Sequence, residues 1–169
     1  MRPWTRILGI DPGFRVTGYG VIDTNGQESR YITSGTINAG KIESGSARLE
    51  KIFNDVRELV SAYGPQEMAV ERVFLHRNAD SALKLGQARA AAICASFGGQ
   101  MSVYEYAARE VKQALVGKGS AAKEQVQHMV RVILSVDQPL EMDASDALGI
   151  AVCHAHKRTL TRRYAGMTP

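Results

Sequence analysis

Apolar positions along this chain follow two rhythms, one of strands and one of helices. Arg6–Asp11 carries Ile7, Leu8 and Ile10 with little alternation and stops at Asp11-Pro12-Gly13, the pattern of a central strand covered on both faces. Val16–Asp23 predicts a second strand and Ser29–Asn38 a third. Asn25-Gly26 between them is the strongest two-residue hairpin signal, so the three runs read as an antiparallel meander. After the loop Gly40–Gly45, Leu49, Ile52, Phe53, Val56, Leu59, Val60 and Tyr63 recur at helical spacing, and Gly64-Pro65 ends that helix. Met68–Glu71 is a fourth strand. Asn78–Phe97 reads as a long helix capped by Asn78 and stopped by Gly98-Gly99, and Met101–Tyr104 as a fifth strand. Three helices complete the pattern. The first covers about Ala107–Leu115. The second carries Val126, Met129, Val130, Ile133 and Leu134 and has Ser120 as its candidate cap. The last starts near Asp143 and runs towards Arg158.

This order predicts an α/β protein. Its five-stranded mixed sheet has three antiparallel meander strands and then two parallel strands, with helices on both faces. A right-handed crossover after the meander would set strand four beside strand one. Their carboxyl ends would then flank a topological switch point, the usual ligand crevice of an open α/β sheet. The 169 residues suit one domain over 1–169, with about 1–5 as a mobile N-terminal extension and 161–169 as a mobile basic tail.

Composition narrows the class. A hydrophobic fraction of 44% with 22% charged residues describes a globular chain rather than a disordered one. Lys+Arg 21 against Asp+Glu 17 leaves +4, which permits an acidic partner without identifying one. Cys94 and Cys153 fall in apolar, helical stretches outside any CxxC or zinc spacing and read as reduced, buried thiols. No apolar run approaches the ~18 residues that span a bilayer. Met1–Arg6 has no signal-peptide core, so an intracellular setting is the default expectation.

The candidate chemistry lies in four acids. Asp11 closes strand one and Glu71 closes strand four, so neighbouring strands would bring them to one end of the sheet. Asp143 and Asp146 share a face at the start of the last helix. Four converging carboxylates repel one another unless some take protons or a cation neutralises them. Mg²⁺ fits such an oxygen-only set, and two ions ~3.5–4 Å apart can activate water and stabilise a leaving phosphodiester oxygen. Each acid also has a plainer reading. Asp11 before Pro-Gly suits a turn, Glu71 an exposed strand end, Asp143 a helix cap, and Asp146 the first turn of a helix.

Ile7-Leu8-Gly9-Ile10-Asp11-Pro12-Gly13 with Thr17-Gly18-Tyr19-Gly20 resembles the start of the RuvC family of Holliday-junction resolvases. Ala69-Val70-Glu71-Arg72-Val73-Phe74, with the run Asn78–Arg89, resembles a second family block, and Asp143-Ala144-Ser145-Asp146-Ala147-Leu148 the last. The blocks occur in order through essentially the whole chain. The resemblance implies a ribonuclease-H-like fold and a homodimer acting in bacterial recombination and repair, in the cytoplasm. It implies a Mg²⁺-dependent enzyme, with Mn²⁺ able to substitute and two ions in each active site. The enzyme would make paired nicks of like polarity in a four-way DNA junction, beside the RuvA–RuvB branch-migration complex. The catalytic and metal-binding acids then fall on Asp11, Glu71, Asp143 and Asp146.

The same resemblance gives Lys112 and Lys123 as DNA contacts. Lys118, beside them in the glycine-rich break Gly117-Lys118-Gly119-Ser120, is a third candidate; an exposed basic loop is the plainer reading. That break lacks the residue order of a P-loop. Phe74, three residues after Glu71, would stack on a base at the junction crossover, although a core anchor would look the same. Arg72, His76, Arg77, Lys84 and Arg89 add positive charge nearby, with Arg77 the further expected DNA contact. His128, His154 and His156 share no metal-ligand spacing. Asn78–Phe97 is a candidate dimer surface, and core packing explains it as well. Two other readings fit parts of the pattern. One is an ATPase of the actin or sugar-kinase kind, which closes two such domains on a nucleotide. The other is a junction-binding protein without catalysis.

Overall fold

The computed structural model describes residues 3–72, 78–98 and 101–165, with side chains described to residue 158. The elements are β1 (Thr5–Asp11), β2 (Val16–Thr24), β3 (Ser29–Asn38), α1 (Gly45–Tyr63), β4 (Glu67–Glu71), α2 (Ala79–Cys94), β5 (Ser102–Tyr106), α3 (Ala108–Val116), α4 (Lys123–Leu134) and α5 (Met142–Ala165). The sheet order is β3-β2-β1-β4-β5. β1 pairs antiparallel with β2, and β2 with β3, whereas β1–β4 and β4–β5 are parallel. The meander, the crossover and the ribonuclease-H-like arrangement are as expected.

Alternation along the central strands separates two cores. Leu8 and Ile10 of β1, with Met68 and Val70 of β4, face α1 and α2 and pack with Ile52, Val56, Ala88 and Ala92. Ile7 and Ala69 face the other way, towards α3, α4 and α5, where Val111, Val130, Leu148 and Ala151 close the second core. On that second face three positions of β1 and β2 carry no side chain: Gly9, Gly18 and Gly20. A Cβ at Gly9 would meet the Ala147 carbonyl, one at Gly18 the Asp143 carbonyl, and one at Gly20 the Leu148 side chain. The missing side chains let α5 lie directly against β1 and β2.

Several boundaries differ from the sequence reading. The hairpin loop is Asn25–Glu28 rather than a two-residue turn, because Asn25 Oδ1 accepts from the Gln27 and Glu28 N–H groups at 2.9 and 3.0 Å. α2 is capped by Asn78 as expected but stops at Cys94, since tighter turns follow from Ser96 N–H to Ile93 O and from Phe97 N–H to Cys94 O. β5 reaches Tyr106 and α5 reaches Ala165, both beyond their expected ends. Ser120 does not cap α4; the cap is Ala122, whose N–H donates to Gln125 Oε1 at 3.1 Å. Gly64 ends α1 in the left-handed region at φ 57°. Trp4 lies under the Arg30 guanidinium, 4.1 Å from its ring centroid, which ties the start of the chain to β3. Among the described residues no helix is long and apolar enough to cross a membrane.

Candidate active site

Three distant segments bring the acids together. Asp11 is the last residue of β1, and the turn after it is pinned by buried Thr17. Thr17 Oγ1 accepts from Gly13 N–H at 3.2 Å and donates to Gly13 O at 2.8 Å. Glu71 is the last residue of β4, on the strand beside β1. Asp143 and Asp146 lie in the first turn and a half of α5, held over β1 and β2 by the bare glycine face. One carboxylate oxygen from each of Asp11, Asp143 and Asp146 falls within 4.8 Å of the others. Glu71 joins them through Asp11, close enough for each carboxyl to shift the other's proton affinity.

Neither helix capping nor an exposed strand end describes this placement. α5 begins at Met142, one residue before Asp143, and the Ser145 N–H is taken by the Glu141 carbonyl. Asp11 is half-buried. Burial first, then the charges of Glu71, Asp146 and Asp143, push its carboxyl up to about 8. Burial and the charge of Asp146 also raise Glu71, against the opposing effect of Asp11 and the Lys123 charge. The cluster therefore holds a proton near neutral pH, a sign of negative charge in excess of its counter-charge. All four acids offer hard oxygen donors. Such a set fits a hard divalent cation such as Mg²⁺ or Mn²⁺ and would suit a soft metal poorly.

A groove opens beside the cluster, lined by Glu71, Asp146, Lys112, Lys123, Val111 and Ile150 among others. Lys123, the first residue of α4, sets its Nζ 2.6 Å from Asp146 Oδ2, and that hydrogen bond raises the ammonium above its usual range. Of the residues expected to contact DNA, Lys112 and Lys123 thus stand in the groove with the acids. Lys118 lies in the α3–α4 connection and does not line it. Phe74 and Arg77 lie outside the described residues. Lys84 and Arg89 have acidic partners within the chain, Asp80 at 2.6 Å and Glu105 at 2.5 Å.

Sequence reasoning missed Glu141. Its carboxylate accepts from Thr36 Oγ1 at 2.8 Å, fastening the start of α5 to β3 across 105 residues of chain, and no local pattern signals that contact. His154 also has a defined place away from the acids. It is buried between Tyr106 Oη, 2.6 Å from Nδ1, and Glu67 Oε2, 2.8 Å from Nε2.

The comparisons with known proteins agree with one another. The family model for crossover junction endodeoxyribonuclease RuvC matches residues 7–154. A crossover junction endodeoxyribonuclease RuvC of Methylococcus capsulatus is 55% identical over 163 residues, covering 96% of this chain and 98% of that relative. A Thermus thermophilus RuvC structure superposes with a TM-score of 0.85 at 35% identity, covering 93% of this chain and 97% of that one. Thermus thermophilus RuvC in complex with a Holliday junction substrate gives 0.83 at 33% identity, covering 92% and 96%. The chain belongs to the RuvC family.

Proposed function

We infer that this RuvC-family chain is a metal-dependent endodeoxyribonuclease that resolves four-way DNA junctions by hydrolysing one phosphodiester in each of two strands of like polarity. The observation that carries the reading is the meeting of Asp11, Asp143 and Asp146 within 4.8 Å beside a lysine-lined groove. The relatedness to the Thermus protein whose structure holds a junction supports the choice of substrate.

Asp11, Glu71, Asp143 and Asp146 would hold Mg²⁺ or Mn²⁺, with two ions as the expected number. A divalent cation held there would supply activation of the attacking water and charge stabilisation at the departing oxygen. The residues of the chain do the rest. Lys112 and Lys123 draw the scissile phosphate into the groove, and Lys118 adds charge at its approach. Phe74 and Arg77, which follow Glu71 in sequence, are assigned to the crossover strands, Phe74 stacking on a base. The fixed backbone at the ends of β1 and β4 orients the acids before substrate arrives. In-line attack of water leaves a 5′ phosphate and a 3′ hydroxyl. A homodimer presents two related sites to a junction of matching symmetry, which accounts for paired cuts. The enzyme would act in the bacterial cytoplasm beside the RuvA–RuvB branch-migration complex.

The test is cleavage of a mobile four-way junction by the purified protein, with Mg²⁺ and EDTA lanes, Asp11→Asn, plain duplex and RNA–DNA hybrid. Paired symmetric nicks that need metal and Asp11 and are confined to the junction are expected. Asp11→Asn should cut at least about 10³-fold more slowly while still binding. Binding without nicks in any divalent ion would favour a junction-binding protein. Cutting of the hybrid alone would discard the junction.

A further inference from the structure

The acidic cluster already has a cation of the chain's own against one of its carboxylates. Lys123 Nζ lies 2.6 Å from Asp146 Oδ2, and the charges of Asp11 and Asp143 act on the same ammonium. Its side chain is 48% exposed and Asp146 is 21% exposed, so the lysine has open solvent to swing into while the acid does not. An ammonium and a divalent cation differ in how they answer the cluster. The first brings one charge and hydrogen bonds on a flexible stem; the second brings two charges and direct oxygen coordination. Both are drawn to the same negative potential and to the same Asp146 carboxylate. They repel one another there.

Lys112 provides the contrast. It lines the same groove but has no carboxylate partner among the described residues. A lysine kept only for phosphate would do better in that state, since an ion pair with Asp146 must be broken before Lys123 can reach a phosphate.

We propose that Lys123 is a resident counter-cation of the acidic cluster, seated on Asp146 in the metal-free protein and displaced into the groove when a divalent cation binds. Metal loading then releases a phosphate-binding group at the moment the site becomes competent, so that cation and DNA binding are coupled through one side chain. The inference rests on the metal-dependent reading above.

Mn²⁺ binding to the full-length protein without DNA, followed by electron paramagnetic resonance of the free ion, tests it. Wild type is compared with Lys123→Met and with Lys112→Met, which removes the same charge from the same groove. Lys123→Met should bind Mn²⁺ about tenfold more tightly and Lys112→Met no more than about twofold. A second readout follows displacement directly. Acetylation of Lys123, measured by mass spectrometry, should rise with Mn²⁺ and saturate with binding, while Lys112 stays constant. Wild-type binding with no gain in Lys123→Met, equal gains in both variants, or Lys123 labelling indifferent to Mn²⁺ would overturn the exchange and leave the metal-dependent reading standing. Absence of Mn²⁺ binding in all three proteins would overturn both.

Discussion

β4 carries two glutamates on the same face of the sheet, both beneath α5, and the fold treats them in opposite ways. Glu67, at the start of the strand, is fully partnered: Arg158 reaches Oε1 at 2.7 Å and His154 Nε2 reaches Oε2 at 2.8 Å. Burial pushes its carboxyl up, but those hydrogen bonds and the neighbouring charge outweigh burial and hold it below the usual range. Burial also lowers His154, so the imidazole is neutral. Its Nε2–H then donates to the Glu67 carboxylate and Nδ1 accepts from the Tyr106 hydroxyl. Glu71, at the end of the same strand, faces acids instead and is raised. The paired end supplies stability, whereas the crowded end keeps more negative charge than Lys123 alone offsets, which a divalent cation would relieve. Local conflict of this kind, set beside a satisfied network on the same helix, separates a binding site from a structural polar cluster.

Matched substitutions in the two glutamates put that contrast to its largest test. Glu71→Gln should slow junction cleavage by about 10³-fold with the fold intact, because it removes an acid from the cluster. Glu67→Gln should do the reverse: about 2–3 kcal/mol lost from the stability measured by urea unfolding, since Arg158 keeps its charge without a counter-charge, and near-normal cleavage per folded molecule. Equal losses of stability in both variants would erase the distinction.

The crowded end was readable from sequence and the paired end was not, for a physical reason. Asp11, Glu71, Asp143 and Asp146 sit at punctuation points, two strand ends and a helix start, which hydrophobic rhythm marks locally. The handedness rule for crossovers then brings the strands together. Gly18 and Gly20 entered the sequence reading only as part of a family block; the fold shows that they admit α5 against β2. The Glu67 network leaves no such trace, because His154 and Arg158 lie 87 and 91 residues from their partner and polar side-chain contacts carry no period. The Lys123–Asp146 pair was hidden likewise: the sequence offered both residues, but only the packing of α4 beside α5 joins them.

A smaller effect should appear in the pH dependence of the metal-free protein. The carboxyl of Asp11 is raised to about 8 by burial first and then by the neighbouring acids, well above its unfolded value near 3.9. The folded state thus binds more protons than the unfolded chain across that interval, and stability falls as pH rises from about 4 to about 8. Asp11→Asn should flatten this slope and be the more stable protein at pH 8, by on the order of 2 kcal/mol. Thermal unfolding in EDTA at a series of pH values measures it. A parallel slope in the variant would mean that the charge conflict lies elsewhere.

The finest distinction concerns Thr36 and Glu141, a single hydrogen bond at the crowded end that is built like those of the paired end. Thr36→Val keeps the shape of the side chain and removes the donor to Glu141, at a cost of about 0.5–1 kcal/mol for an exposed contact. If the bond serves only stability, unfolding should register that small loss and Mn²⁺ affinity should not move. If it fixes the start of α5 so that Asp143 faces Asp11, the affinity should weaken by about threefold, as expected when one ligand of a small set loses its orientation. We expect the second outcome. Asp143 is two residues from Glu141, and among the described residues no other side-chain hydrogen bond ties the helix start to β3. The carboxylate of Glu141 would then be part of the apparatus that holds the acids while remaining outside the cluster itself.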